Sequence, residues 1–585
     1  LAAGSPLKLN HRSSSFKEFK MKRLITSRAL RILCSLILLP TSGVLAQADL
    51  SNQSVAGGPQ SSVAFVNVNI VPMDKEHILF NQTLIIRNGI ITQIGAAGRI
   101  QVPQGALIIN GNSRLYLTPA LSDMHTHLRY DEDLLLYVAN GITTVRNMRG
   151  EPQHLEWREK VKRGEILGPT IYTAGPTLSG PNSGFTEVRT AEEAERQVLE
   201  QKNAGYDFIK VYDQLPKVAY EAIIASAKKL QMPVAGHVPT ELGVEGVLQA
   251  KQASIEHAEQ YVYHYFGDDY DETKIPYIAE ATNKAGTYVC PTISFIENFI
   301  LQAEDQNKVL DRSEMKYVNP ETLAWWATDR KESSAQNRII NVFQNKLIRG
   351  FRDAHVKMLS GTDIYAFGLI PGISLHQELQ NLVKAGLTPY QALETSTRNA
   401  GEFLGANFGT IRVGNKADLI LVEGNPLDDI SNLQRRAGVM VHGKWMPQAQ
   451  LDLMTDRLAA SFAQAQTFIN LIRRNNVEAA VQTYHHTQKA GVPAFSAQSY
   501  AFSVLGGQLL QEKKIKEAIE IFKLNIEAYP NSANKYDKLA SAYALDGNTK
   551  LAVEFYQKAL SIDPKYPNAA AATEFIKKFG SGEIR

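Results

Sequence analysis

The sequence predicts an α/β protein in three parts: a (β/α)8 TIM barrel, a β-sandwich domain formed by the segments on both sides of it, and a C-terminal all-α helical repeat domain. Three observations carry the prediction. Between residues 118 and 405 short apolar runs alternate with helix-like stretches, the pattern of parallel strands joined by crossover helices. On both flanks, at 63–117 and 406–447, β-branched runs are punctuated by Gly and Asn, as in an antiparallel sheet. After residue 498 the chain repeats itself at a spacing of 34 residues, the length of a paired-helix unit.

At 585 residues the chain is too long for one compact domain. Its 44% hydrophobic and 21% charged residues are those of an ordinary globular protein. The formal charge of +3 comes from residues 1–46, where eight Lys and Arg face one Glu; the remainder carries −4. A mildly acidic body gives no electrostatic basis for binding nucleic acid. Residues 1–46 read as an upstream segment and a secretory signal peptide. A polar stretch, 1–20, precedes Met21. Then come Lys22, Arg23, Arg28 and Arg31, the apolar run "ILCSLILLP", and small residues in "SGVLAQA". That run is too short for a normal membrane span, so the expectation is an exported protein, periplasmic or secreted, that does not span a membrane. Of the two cysteines, Cys34 falls in the leader and Cys290 is left alone, which excludes an internal disulfide after cleavage. Residues 47–62, rich in Ser, Gly, Gln and Asn, read as a linker.

The first flank, 63–117, contains "VAFVNVNIV", "QTLIIRNGIITQIG" and "ALIINGN". Eight candidate barrel strands follow within 118–405: "ALSDMHTH", "ITTVRNM", "TIYTAG", "DFIKVYD", "PVAGHV", "SIEHAE", "YVCPTI" and "KMLSGTD". Helical stretches such as "AEEAERQVLEQKNAG" and "KVAYEAIIASAKKLQ" separate them. The second flank, 406–447, holds "GTIRVGNKADLILVEG" and "GVMVHGKW" and is expected to complete the sheet domain. Residues 448–497 read as an amphipathic helical linker. In 498–580, Leu505, Gly506, Ala518, Phe522 and Pro530 recur as Leu539, Ala540, Ala552, Tyr556 and Pro564. This is the tetratricopeptide-like period. Two repeats rarely stand alone, so the preceding helices are expected to pack on them, and the repeats to bind a protein partner or mediate self-association.

Active sites of such barrels sit at the C-terminal ends of the strands. His125 and His127 end the first run; two residues apart in a strand, they share a face. Lys210 lies in the fourth run, His237 in the fifth and His257 in the sixth, and Asp363 ends the eighth. Imidazole and carboxylate together suit zinc. Arg146, ending the second run, is placed at a substrate carboxylate, with a structural ion pair as the alternative. Tyr212 shares the face of Lys210 and either contacts substrate or packs. His154, His355 and His442 read as hydrogen-bonded core residues. The long connections at 261–274 and 294–355, the latter with Trp325 and Trp326, read as lids or walls.

The ordered set "DMHTHL", "IKVY", "AGHV", "IEHAE" and "SGTD", with "GLTPYQALETSTRNAGEFLG" and "GTIRVGNKADLILVEGNPL", resembles the amidohydrolase superfamily over about 63–447. The likeness is to its imidazolonepropionase-like and Xaa-Pro dipeptidase-like branch. The resemblance implies that His125, His127 and Asp363 hold one divalent metal and His237 and His257 a second. Lys210, carboxylated, would bridge the two, with zinc as the expected ion. It also implies that Asp363 accepts the proton of the attacking water. The chemistry of lysine agrees: an ammonium cannot ligate a cation, whereas a carbamate on its nitrogen is an anionic two-oxygen ligand. The implied function is metal-dependent hydrolysis of an amide or other C–N bond in a small-molecule substrate, through hydroxide shared by two metals. A dipeptide, an N-acyl amino acid or a cyclic amide would serve. Two alternatives stay open. If Lys210 is a buried lysine paired with a carboxylate, the enzyme is a mononuclear imidazolonepropionase-like hydrolase. If the repeats carry the function, the protein is a non-catalytic peptide-binding scaffold.

Overall fold

The computed structural model describes residues 62–328, 334–474, 476–489 and 498–580. The leader and all but the last residue of the linker lie outside these. Among the described residues no helix is long and apolar enough to cross a membrane.

The two flanks join in one eight-stranded sheet. Its order runs Lys444–Pro447, Arg436–Val441, Leu419–Val422, Tyr116–Pro119, Ser62–Ile70, Leu79–Arg87 and Ile90–Ala96, with Leu107–Asn110 added beside Ser62–Ile70. The flanks meet where Leu419–Val422 pairs antiparallel with Tyr116–Pro119, from Leu419 opposite Pro119 to Val422 opposite Tyr116. Alternate residues of these strands, among them Phe65, Leu84, Leu117, Leu419 and Leu421, enclose a core of their own. The step from Pro119 to Leu121 carries the chain directly from this sheet into the first parallel strand.

Seven of the eight expected runs form parallel strands. Leu121–Thr126, Ile142–Asn147 and Thr170–Thr173 make one three-stranded sheet. Ile209–Val211, Val234–Gly236, Ser254–Glu256 and Tyr288–Cys290 belong to a six-stranded one. That second sheet also includes two strands the sequence pattern does not reveal, Leu178–Ser179 and Thr186–Glu187, in the "GPTLSGPNSG" region. A parallel bridge between Ala174 and Phe208 links the two sheets. The eighth run, 357–363, differs: it is no ladder but a segment held from both sides. Val289 exchanges bonds with it on one side, its N–H donating to Lys357 O (3.1 Å) and its O accepting from Leu359 N (2.8 Å). On the other side Met124 N donates to Ser360 O and Asp363 N to His125 O (2.9 and 2.8 Å). Regular pairing fails there because Asp363 has φ of +56°, outside the β region.

Helices between the strands bury their apolar faces against them. Ala191–Ala204 shows how its ends are set: Thr190 and Glu193 form a capping box, and Gly205, at φ +88°, closes it in the left-handed conformation that favours glycine. The core under these helices includes Tyr137, Val145, Ile209, Tyr220, Ile255 and Leu379.

Beyond the sheet, Gln448–Arg473 starts on this core through Leu451 and ends in a second one through Phe468, Ile469 and Ile472. Val477–Lys489, Gln498–Gln511, Ile515–Ala528, Ala533–Leu545, Thr549–Ile562 and Ala569–Phe579 follow, and the second core gathers Tyr484, Phe502, Phe522, Leu539 and Tyr556. The preceding helices therefore do pack on the C-terminal pairs.

Candidate active site

The strand ends bring the predicted donors together. The Nε2 of His127 lies 3.0 Å from Asp363 Oδ1, and that of His125 lies 3.4 Å from the same oxygen without the alignment of a hydrogen bond. Donor atoms of His125, His257 and Asp363 all fall within 4.8 Å of one another. The ring centroids of His125 and His257 are 4.6 Å apart, and those of His257 and His237 4.8 Å. The fully buried Lys210 Nζ has no hydrogen-bond partner among the described residues. His257 and Asp363 sit at φ +70° and +56°, strained for residues with a Cβ, so the fold imposes their direction at a cost.

Each of three imidazoles is held by its Nδ1. His125 Nδ1 meets Glu256 Oε2 (2.8 Å), His237 Nδ1 meets Asp213 Oδ1 (2.7 Å) and His257 Nδ1 meets Thr292 Oγ1 (2.7 Å). The two carboxylates accept from Nδ1–H and so leave Nε2 of His125 and His237 with its lone pair, as metal-ligating histidines require, while the Thr292 hydroxyl orients the His257 ring. Burial, reinforced by Lys210 and neighbouring imidazoles, pushes the His237 and His257 rings well below the usual histidine range, so both are neutral. Burial lowers His127 as well. Burial alone would raise the Asp363 carboxyl, but His125 and His127 hold it well below the ordinary range, hence ionised. Burial also brings the Lys210 ammonium down to about 8, so neutral amine is accessible. The donor set therefore fits divalent metal: neutral nitrogen, ionised oxygen, and an orphaned buried amine between them. A second cluster, His125, Glu256 and Cys290, is equally compact. It fits poorly, because Glu256 is committed to an arginine and burial pushes the Cys290 thiol up.

Arg146 is that arginine, and it corrects the expectation of a substrate ligand. It is fully buried beneath the site. Its Nη2 donates to both Glu256 oxygens at 2.8 Å, its Nη1 to Ser254 Oγ (2.9 Å) and its Nε to Met124 O (2.5 Å). The structural ion pair was the right alternative. Burial would raise the Glu256 carboxyl, but Arg146 and His125 hold it far below the normal range. Glu256, Asp213, Asp123 and Thr292 were missed by sequence reasoning. Asp123 accepts from the Thr362 N–H and hydroxyl, tying the first run to the eighth. The available signal was proximity: each carboxylate stands one to three residues from a predicted donor.

Above the donors opens a cavity of about 1140 Å³ lined by His125, His127, Lys210, His237, His257 and Asp363. Tyr212 also lines it, its ring 4.1 Å from that of His237, with Phe185 tilted against it at 4.7 Å. Tyr263, Phe295, Phe299 and Trp325 from the two long connections form walls. Trp326 instead is buried, donating to Tyr365 O. His154 bonds to Leu128 O and the Glu151 N–H, as a core histidine does.

A parallel-stranded α/β fold with a histidine, lysine and aspartate cluster at its strand ends defines the class, and comparison with known proteins agrees. The chain belongs to the amidohydrolase family, which residues 116–446 match. It is a hydrolase acting on carbon–nitrogen bonds. Ochratoxinase of Aspergillus niger is 24% identical over 456 residues, covering 66% of this chain and 86% of that protein. Its crystal structure superposes with a TM-score of 0.51 at 22% identity, over 66% of this chain and 96% of that one. A Xaa-Pro dipeptidase with bound methionine gives 0.53 at 21% identity (66% and 100% covered), and bottromycin amidohydrolase 0.54 at 22% (69% and 91%). These solved structures share its fold.

Proposed function

We propose that this protein is a metal-dependent amidohydrolase that cleaves the amide bond of a dipeptide or N-acyl amino acid. The observation that carries the reading is the convergence of His125, His257 and Asp363 donor atoms within 4.8 Å, beside a buried Lys210 nitrogen without a partner. The names of the relatives, a Xaa-Pro dipeptidase and an amidohydrolase among them, favour peptide-like amides. In this reading the bridges at Ala174, Met358 and Ile364 close the parallel strands into one (β/α)8 barrel, and the eight-stranded sheet curls over its core as the sandwich. Export follows from the leader pattern. Ile515–Ala528 and Thr549–Ile562, starting 34 positions apart, are the second helices of two tetratricopeptide-like repeats.

His125, His127 and Asp363 would hold one metal ion, His237 and His257 a second, and carboxylated Lys210 would bridge them. Bound there, the metals would supply Lewis-acid polarisation of the substrate carbonyl. The chain's own residues do the rest. Asp363, kept ionised, takes the proton of the attacking water and returns it to the leaving nitrogen. Glu256 and Asp213 keep His125 and His237 in their working tautomers, and Thr292 orients the His257 ring. Tyr212 and Phe185 form an apolar wall against which a substrate side chain packs.

The test is hydrolysis of a panel of Xaa-Pro dipeptides and N-acyl amino acids, with and without chelator, alongside metal analysis. Turnover that chelation abolishes is expected. Protein that holds no zinc, manganese or iron and turns over nothing defeats the proposal. For Lys210→Ala the expected result is fewer metals per chain; an unchanged count rejects the bridge.

A further inference from the structure

The cavity that holds the donors is lined not only by the family-matched residues but by one side chain far outside them, Lys535. It projects from Ala533–Leu545 in the C-terminal helical region. Arg129, after the first strand, and Trp325 from the long connection line the same cavity. We propose that Lys535 and Arg129 form an anion subsite at the outer end of the catalytic cavity, which takes a carboxylate of the substrate. The helical region is then part of the substrate site and selects what the barrel cleaves. This rests on the amidohydrolase reading for the identity of the bond broken, but not for the binding of the carboxylate.

Four observations support it. The Arg129 guanidinium lies over the rings of Trp325 and Tyr365, 5.3 and 5.1 Å from their centroids. Stacking fixes its plane and leaves N–H edges for a carboxylate. Lys535 is half-buried and donates to Ser503 Oγ (3.1 Å), so its ammonium is positioned rather than trailing in solvent. The acid between the two cations, Glu321, accepts from Tyr130 Oη (3.2 Å), and burial pushes its carboxyl up to about 8 against the pull of Lys535 and Arg129. Burial lowers Lys535 only to about 8. Finally, Lys535 also lines a second cavity of about 470 Å³ with Ser503, Asn534, Asp537 and Lys538. It stands at the junction of the barrel cavity and the inner face of the helices.

The probes are N-acetyl-L-leucine and its neutral amide, N-acetyl-L-leucinamide, titrated calorimetrically into the chelator-treated full chain. The same pair is offered to the metal-loaded enzyme for turnover. Wild type should bind the carboxylate about tenfold more tightly than the amide, the scale of one hydrogen bond to a charged group. K535M should lose most of that preference, through KM rather than kcat where turnover is read, and K535R should restore it. R129Q, at an exposed position, gives an independent reading if K535M folds poorly. Preference lost in K535M while metal-loaded wild type cleaves neither compound upholds the subsite and overturns the amidohydrolase reading of the substrate. Turnover with a preference that both K535M and R129Q leave intact overturns the subsite alone.

Discussion

Arg146 and Glu256 show how much a single buried pair can hold. Arg146 reaches Glu256, Ser254 and Met124 O, while Glu256 holds His125 by its Nδ1. Both side chains are fully buried. Removing the arginine alone leaves a carboxylate in low dielectric without a countercharge. Arg146→Met is therefore expected to destabilise the fold by about 3–5 kcal/mol, and Arg146→Met with Glu256→Leu by clearly less. Urea denaturation of the two variants checks this; a substrate-binding arginine would instead change KM and leave the midpoint in place. Gly361 is as exacting. A Cβ there would fall 2.5 Å from His125 Cβ and 2.7 Å from both His125 N and Cys290 Sγ. None of these is a flexible chain end, so Gly361→Ala should cost about 1–3 kcal/mol and displace His125. Its measure is the urea midpoint together with metal content.

At the scale of elements, the fold was legible where local pattern decides it. Seven short apolar runs became parallel strands because alternation with helices leaves them no other way to bury both faces. The eighth was legible by composition but not by form. "SGTD" owes its shape to Gly361 lying against His125 and to the left-handed backbone at Asp363, and neither is a local property. The six candidate donors were legible because each lies in or ends a predicted strand. Their supporting carboxylates were not, because a charged residue beside a histidine in sequence says nothing of which nitrogen it meets. The same limit hid His376, on Ile373–Ala385, which joins the helix layer to the sheet. Its Nε2 donates to Asn140 O (2.9 Å) beside Arg436. Burial, then Arg436, lowers its pKa from 6.5 to about 3. The unfolded chain takes up a proton as pH falls below 6.5, while the folded one resists until about 3. This contribution to stability is complete above 6.5 and is lost at about 1.4 kcal/mol per pH unit below it. His376→Gln keeps a donor for Asn140 O and cannot titrate. Between pH 7 and pH 5 the wild type should lose about 2 kcal/mol more than this variant in matched urea titrations.

At the scale of the whole molecule, two cores share one helix. Gln448–Arg473 anchors Leu451 in the core beneath the helices that join the parallel strands and Phe468 in the core of the C-terminal helices. Stabilising influences on one core should therefore reach the other mainly through that helix, beside the contact that Lys535 makes at the donor cavity, and each core should answer to its own perturbation. Metal held by the strand-end donors, as proposed, would favour the folded state, so chelation should lower the stability of the first core by linkage. Phe468 packs edge-on to Phe502, 5.4 Å between centroids, and is almost fully buried. Phe468→Ala should cost the second core about 3–5 kcal/mol. Scanning calorimetry of the full chain should resolve two transitions. Chelator is expected to move one and Phe468→Ala the other, with the metal content of the variant unchanged. A single transition displaced equally by both treatments would mean that the shared helix welds the two cores into one cooperative unit. The Lys535 side of the cavity would then be as rigid as the donors opposite it.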